Sequence, residues 1–225
     1  MKFIAALILV LSAMQGITAP SSKWVQKDDP NLPMVLLIGD GISIGYTTYV
    51  RQELNGKANL HRTREDSGSS TNVLASLERW LGTNKWDVIY FNCGLSDLKL
   101  VDETNHVATV EEYEQNLEQI AQQLNKTGAK LIWASSTPVP AVKMKIPRKS
   151  QDVPIYNATA KKVMDKHKIP ICDLYSFILP NVATLQMPNN IYFNVEGNEA
   201  LGKEAARLIL QLLPPLKSAQ GGPAK

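Results

Sequence analysis

Two aspartates stand in glycine-containing turns that directly follow short apolar runs: Asp40 in LLIGDGISIGY and Asp97 in YFNCGLSDLK. Carboxylates so placed have two chemical uses. They can share a hard cation, or they can accept backbone N–H groups at the start of a helix. The second use is the expectation, and no cofactor or metal is required by the residues present. Ser43 is a potential nucleophile if a histidine reaches it. The chain has only three: His61, His106 and His167. His61 closes an apolar run and could face the same edge, His106 lies in a polar stretch, and His167 near a helix end suits the helix dipole. A plain surface or helix-end role is expected for each. Four cations, Lys143, Lys145, Arg148 and Lys149, cluster among Pro138, Pro140 and Pro147. They form either a solvated basic loop, partly offset by Asp152, or a stiffened rim that attracts sulfated or carboxylated glycans.

These residues need a scaffold, and the chain alternates short β-rich runs with helical patterns. The runs Met34–Ile38, 58–62, 88–92, Lys130–Ala134 and 169–172 predict five parallel strands buried on both faces. Helices are expected near 44–54, 72–81, 110–124, 155–167 and 198–213. In the third, Thr109 with Glu112 makes a capping box, Tyr113, Leu117, Ile120 and Leu124 form an apolar stripe, and Gly128 follows as the stop. Such alternation predicts a single-domain α/β fold, a five-stranded parallel sheet covered on both faces by helices. In open sheets of this kind ligands meet the carboxyl ends of the strands, where the blocks above and two more, REDSGSSTNVL and NNIYFNVEGNEALG, fall. Trp80, Trp86 and Trp133 are expected to fill core, with Trp133 near the crevice.

Taken in order, the four blocks resemble those of the SGNH, or GDSL-like, hydrolases: a strand into Gly39-Asp40, then Gly68, then Gly94-x-x-Asp97, then a terminal block leading into Gly197. The resemblance runs from about Met34 to Leu213 and implies a flavodoxin-like three-layer α/β/α sandwich with a Ser-His-Asp esterase site. At the matching positions the residues differ. Gly41 stands where the nucleophilic serine is required, and glycine has no oxygen to attack a carbonyl. Asn189 and Tyr192 stand at the Asp and His positions of the terminal block; a phenol of pKa near 10 is a poor base at neutral pH. The oxyanion positions are Gly41, Gly68 and Ser96, with the two backbone donors expected to survive. In the family's sheet order Cys93 and Cys172 are separated by a strand, so both are expected to stay free.

With 225 residues, 44% hydrophobic and 20% charged, the chain can bury one sizeable core. A net charge of +3 from scattered cations argues against a nucleic-acid partner. Lys2 followed by an apolar run from Phe3 to Met14 is signal-peptide anatomy, with cleavage near residue 19, and the run is too short for a membrane span. Residues 31–214 form the expected domain and 215–225 an expected disordered tail. Asn125-Lys-Thr127 and Asn157-Ala-Thr159 are N-glycosylation sequons suited to a secreted, extracellular protein. The residues therefore predict a secreted SGNH hydrolase-like protein without its triad, a non-catalytic binding or matrix protein whose partner is an anionic or acylated glycan or a matrix component. The alternative is a carbohydrate or acyl esterase with another nucleophile. The tentative contact residues are Asp40, Ser43, Asp97 and the four cations of the basic loop.

Overall fold

The computed structural model describes residues 27–215. The expected signal peptide lies outside the described residues, as does the expected tail after residue 215. Five strands, β1 (Met34–Ile38), β2 (Asn59–Arg62), β3 (Val88–Phe91), β4 (Lys130–Ala134) and β5 (Ile171–Cys172), form one parallel sheet in the order β2-β1-β3-β4-β5. Both central strands next to the crossover, β1 and β3, carry runs without a polar side chain other than Tyr90, and every residue of β3 is buried. Their register pairs Val35 with Leu60 on one side and with Val88 on the other. Because the chain leaves β1 for β2 and returns to the other side of β1 as β3, a crevice opens at the carboxyl ends of β1 and β3.

Helices α1 (Gly41–Glu53) and α7 (Val195–Leu212) pack together, and α2 (Ser70–Leu81), α3 (Val110–Asn125) and α4 (Asp152–His167) form a second packed row. The result is the expected sandwich, with Trp133, Tyr46, Tyr90, Tyr113, Tyr156 and Phe91 among its fully buried side chains. Several element ends differ from the sequence expectation for identifiable reasons. Helix α1 begins three residues early because Asp40 caps it, accepting from the amides of Ile42 (3.0 Å) and Ser43 (3.3 Å). Strand β5 is half the expected length because Ile169 still serves α4: its amide donates to the Met164 carbonyl after Lys168 turns left-handed, and Pro170 has no N–H. Two short helices, α5 (Leu174–Ile178) and α6 (Val182–Leu185), join β5 to α7 through a 3-10 turn and are too brief to show periodicity. The capping box of α3 forms as expected: Thr109 Oγ1 accepts from the Glu112 amide at 3.2 Å, and Glu112 Oε2 accepts from the Thr109 amide at 2.8 Å.

Trp80 departs from its expected core role. It is only partly buried, its indole N–H donates to Glu65 Oε1 at 2.7 Å, and Arg79 lies over its ring. Cys93 and Cys172 are buried and free.

The contact of α1 with α7 depends on Gly202. A β-carbon there would lie 2.8 Å from the Tyr46 carbonyl oxygen and 2.5 Å from Tyr49 Cβ. Gly202→Ala should therefore push the two helices apart despite the better helix propensity of alanine. A net loss of about 2 kcal/mol is expected, seen as a fall of about 4–8 °C in Tm. An unchanged Tm would show that the interface is looser than described.

Candidate functional site

The carboxyl ends of β1 and β3 open into a cleft of about 270 Å³ whose lining includes Asp40, Gly41, Asp66, Ser96, Arg148 and Tyr192. Gly41 is the first residue of α1, directly after its cap. A β-carbon on Gly41 would lie 3.0 Å from Tyr192 Oη and 3.2 Å from Asp66 Oδ2. The phenol and one carboxylate oxygen thus converge on the space that a side chain at position 41 would enter. Tyr192 is held by a tight turn in which its carbonyl accepts from the Met187 amide and its amide donates to Asn190 Oδ1. Asn189 sits in that turn at φ 55°, a left-handed conformation that asparagine tolerates better than most residues.

Of the three expected oxyanion positions, Gly41 and Ser96 line the cleft. Gly68 also adopts a left-handed turn, φ 68°, but its N–H already donates to Asp66 Oδ1 at 2.8 Å. The expectation that both backbone donors stay available is corrected: the Gly68 donor is occupied by a carboxylate two residues upstream.

Burial and neighbours set the charge state of the floor. Desolvation, reinforced by the charge of Asp66, raises the Asp40 carboxyl to about 6, against the lowering effect of its capping bonds and Arg62. Asp97 is also pushed up to about 6 by burial, although Ser70 donates to it from both its amide (2.9 Å) and its hydroxyl (2.6 Å). Both aspartates therefore serve helix starts, Asp40 that of α1 and Asp97 that of α2. Among the described residues no group of three or more His, Cys, Asp or Glu side chains is placed to hold a metal.

The remaining contact candidates divide sharply. Ser43 is fully buried, donates to the Asp40 carbonyl at 2.6 Å and accepts from Arg62 at 2.9 Å. Asp97 is equally sealed. Neither reaches a ligand, and Ser43 is no replacement nucleophile. The histidines are engaged elsewhere, His61 with Asp28, His106 with Asp152 and His167 with Glu118. His106 is accordingly not a plain surface residue: it fixes its loop to the first turn of α4. Asp152 accepts that bond and also lies beside the basic loop, its amide donating to the Lys149 carbonyl at 3.1 Å. Of the four cations, Lys145 and Arg148 line the cleft, whereas Lys143 and Lys149 are not among its lining residues. Trp133 lines a separate groove beside α4 and β5, not this cleft.

Asp66 and Lys99 line the cleft and were not singled out from the sequence. The signal for Asp66 was present in the block REDSGSS: an aspartate two residues before a glycine that must turn left-handed is an Asx-turn pattern. The sequons also differ from one another. Asn125 is exposed at the end of α3. The Asn157 amide is half-buried and pairs both ways with the backbone of Ser136, each bond 2.9 Å.

No protein-family model and no curated protein sequence matches the chain. Solved structures do. The lipase/acylhydrolase from Enterococcus faecalis superposes with a TM-score of 0.71 at 19% identity, over 83% of this chain and 100% of its own. Axe2, an acetylxylan esterase from Geobacillus stearothermophilus, gives 0.64 at 17% over 83% of this chain and 97% of its own. A GDSL-like lipase from Bacteroides thetaiotaomicron gives 0.60 at 15%, over 79% and 87%. Likeness at these identities shows the fold: with five parallel strands in the order β2-β1-β3-β4-β5, the chain has the SGNH hydrolase fold.

Proposed function

We propose that the chain is a secreted SGNH hydrolase-like protein that has lost the Ser-His-Asp triad and acts as a non-catalytic extracellular binding or matrix protein. The observation that carries this reading is the position of Tyr192. Its hydroxyl lies 3.0 Å from the point where a side chain on Gly41 would begin, so the residue at the general-base position fills the space of the absent nucleophile. Three further facts support it. The Gly68 N–H is already bonded to Asp66, which removes one donor from any developing oxyanion. Ser43, the nearest serine to Gly41 in sequence, is buried and doubly bonded. Among the described residues no histidine has a serine as a partner. The secretory part of the reading rests on Lys2, the apolar run from Phe3 to Met14, and the exposed sequon at Asn125.

A second reading, a carbohydrate or acyl esterase with another nucleophile, draws its support from the acetylxylan esterases among the structural neighbours. A panel of short acyl esters and acetylated sugars separates the two. The purified protein is expected to turn over every ester at least about 10⁴-fold more slowly than the Geobacillus esterase assayed beside it. Turnover of any ester within about 100-fold of that enzyme would replace the first reading by the second.

A further inference from the structure

Arg148 lines the cleft with only backbone carbonyls as its partners among the described residues. Its Nε donates to the Leu95 carbonyl at 2.6 Å, and Nη1 reaches the Ile146 carbonyl only at 3.5 Å. The side chain is half-buried, yet no carboxylate lies within ion-pairing distance of it among the described residues. Backbone carbonyls thus hold Nε and Nη1, and Arg148 lines the cleft with its Nη2 accepted by none of the described residues. A planar fork fixed in this way suits a carboxylate, which it can engage with two parallel bonds. Lys99 and Lys145 line the same cleft and likewise lack an ion-pair partner among the described residues, so they add a field that attracts anions.

Asp66, in the same lining, asks for something else. Asp66 spends Oδ1 on the Gly68 amide, while Oδ2 accepts no bond from the described residues and points toward Gly41. A free carboxylate oxygen repels a bare anion but accepts from a hydroxyl group. Tyr192, 45% exposed, offers a ring face beside it. Together these groups fit a ligand that bears both a carboxylate and hydroxyls. A volume of about 270 Å³ holds one ring rather than a long chain segment.

We propose that the cleft is a receptor for a hydroxylated carboxylate of one-ring size, a hexuronic acid, with its carboxylate on Arg148 and a ring hydroxyl on Asp66 Oδ2. The proposal rests on the cleft being a binding site rather than a catalytic one, and it names the ligand that the non-catalytic reading leaves open.

Calorimetric titration of the purified secreted protein with glucuronate, glucose and butyrate tests it, since glucose lacks the carboxylate and butyrate lacks the hydroxyls. Glucuronate is expected to bind at least about 10-fold more tightly than either. Arg148→Lys keeps the charge but loses the fork, and should weaken glucuronate about 10-fold. Asp66→Ala leaves the Leu95 and Ile146 contacts of Arg148 untouched, and should weaken glucuronate while leaving butyrate unchanged or slightly improved. Unfolding curves of each variant separate lost binding from lost fold. Absence of saturable binding of glucuronate by the unaltered protein up to about 10 mM would overturn the proposal, as would equal affinity for glucuronate and butyrate. Neither result touches the non-catalytic reading, whose failure would appear as ester turnover whichever way the titration falls.

Discussion

Gly41→Ser alone is expected to yield no measurable esterase activity, whereas Gly41→Ser, Asn189→Asp and Tyr192→His together should yield ester hydrolysis. The single change adds a hydroxyl without a base, and triad members act as a unit rather than additively. It also creates crowding, because the new β-carbon lies 3.0 Å from Tyr192 Oη and 3.3 Å from its Cε1. Tyr192→His relieves that contact and supplies the base in one step. The turn at Asn189 is left-handed, and aspartate is among the few residues that accept it. Even the triple variant should be weak, since the Gly68 N–H remains bonded to Asp66. Adding Asp66→Ala frees that donor, and one oxyanion donor is worth about 3 kcal/mol, roughly a 100-fold increase in kcat. The series is read as kcat on an acyl ester chosen from those the Geobacillus esterase hydrolyses. Full activity from Gly41→Ser alone would show that a base already stands beside position 41.

Asp40→Asn is expected to stabilise the protein above neutrality and to leave it unchanged near pH 4. Burial and the charge of Asp66 raise the folded carboxyl to about 6 from an ordinary 3.8. A raised acid binds its proton more tightly in the folded state, so stability from this group falls as pH climbs from about 4 to about 6 and stays reduced above. The shift of roughly two units corresponds to about 2–3 kcal/mol. Asparagine removes the buried charge and keeps an oxygen for the amides of Ile42 and Ser43, so the cap survives. Denaturant unfolding at pH 7.5 and pH 4 should therefore show a gain of about 2 kcal/mol at the higher pH only. Asp97 contributes a slope of the same sign, being raised to about 6 by burial. Glu118 acts in the opposite direction. Bonds from Lys166 and His167 hold it down to about 2, so its stabilisation is lost as pH falls below about 4.5. An equal effect of Asp40→Asn at both pH values would contradict the raised carboxyl.

The sheet was legible because its strands are short apolar runs with no competing pattern: β1 and β4 have the expected bounds to the residue. Helix starts were harder, since α1 and α2 begin on small or flexible residues, Gly41 and Ser70, that carry no apolar period. Their starts are set by Asp40, Ser69 and the distant Asp97, and the last of these is a tertiary contact. At the cleft, Gly41, Ser96, Asn189 and Tyr192 were legible from the blocks and all four line it. The occupied Gly68 donor was not, because it depends on which way Asp66 turns. Nor was the sealing of Ser43, which depends on Arg62 crossing from β2 to reach it. The basic loop illustrates the same limit. Four neighbouring cations look equivalent in sequence, but a proline-bearing loop has no fixed period, and only Lys145 and Arg148 line the cleft.

The central claim, that no serine of this chain is an activated nucleophile, is tested most directly by treating the purified protein with a fluorophosphonate probe and measuring its intact mass. No adduct is expected under conditions in which the Geobacillus esterase is labelled completely. A single stoichiometric adduct on any serine, Ser43 and Ser96 included, would contradict it.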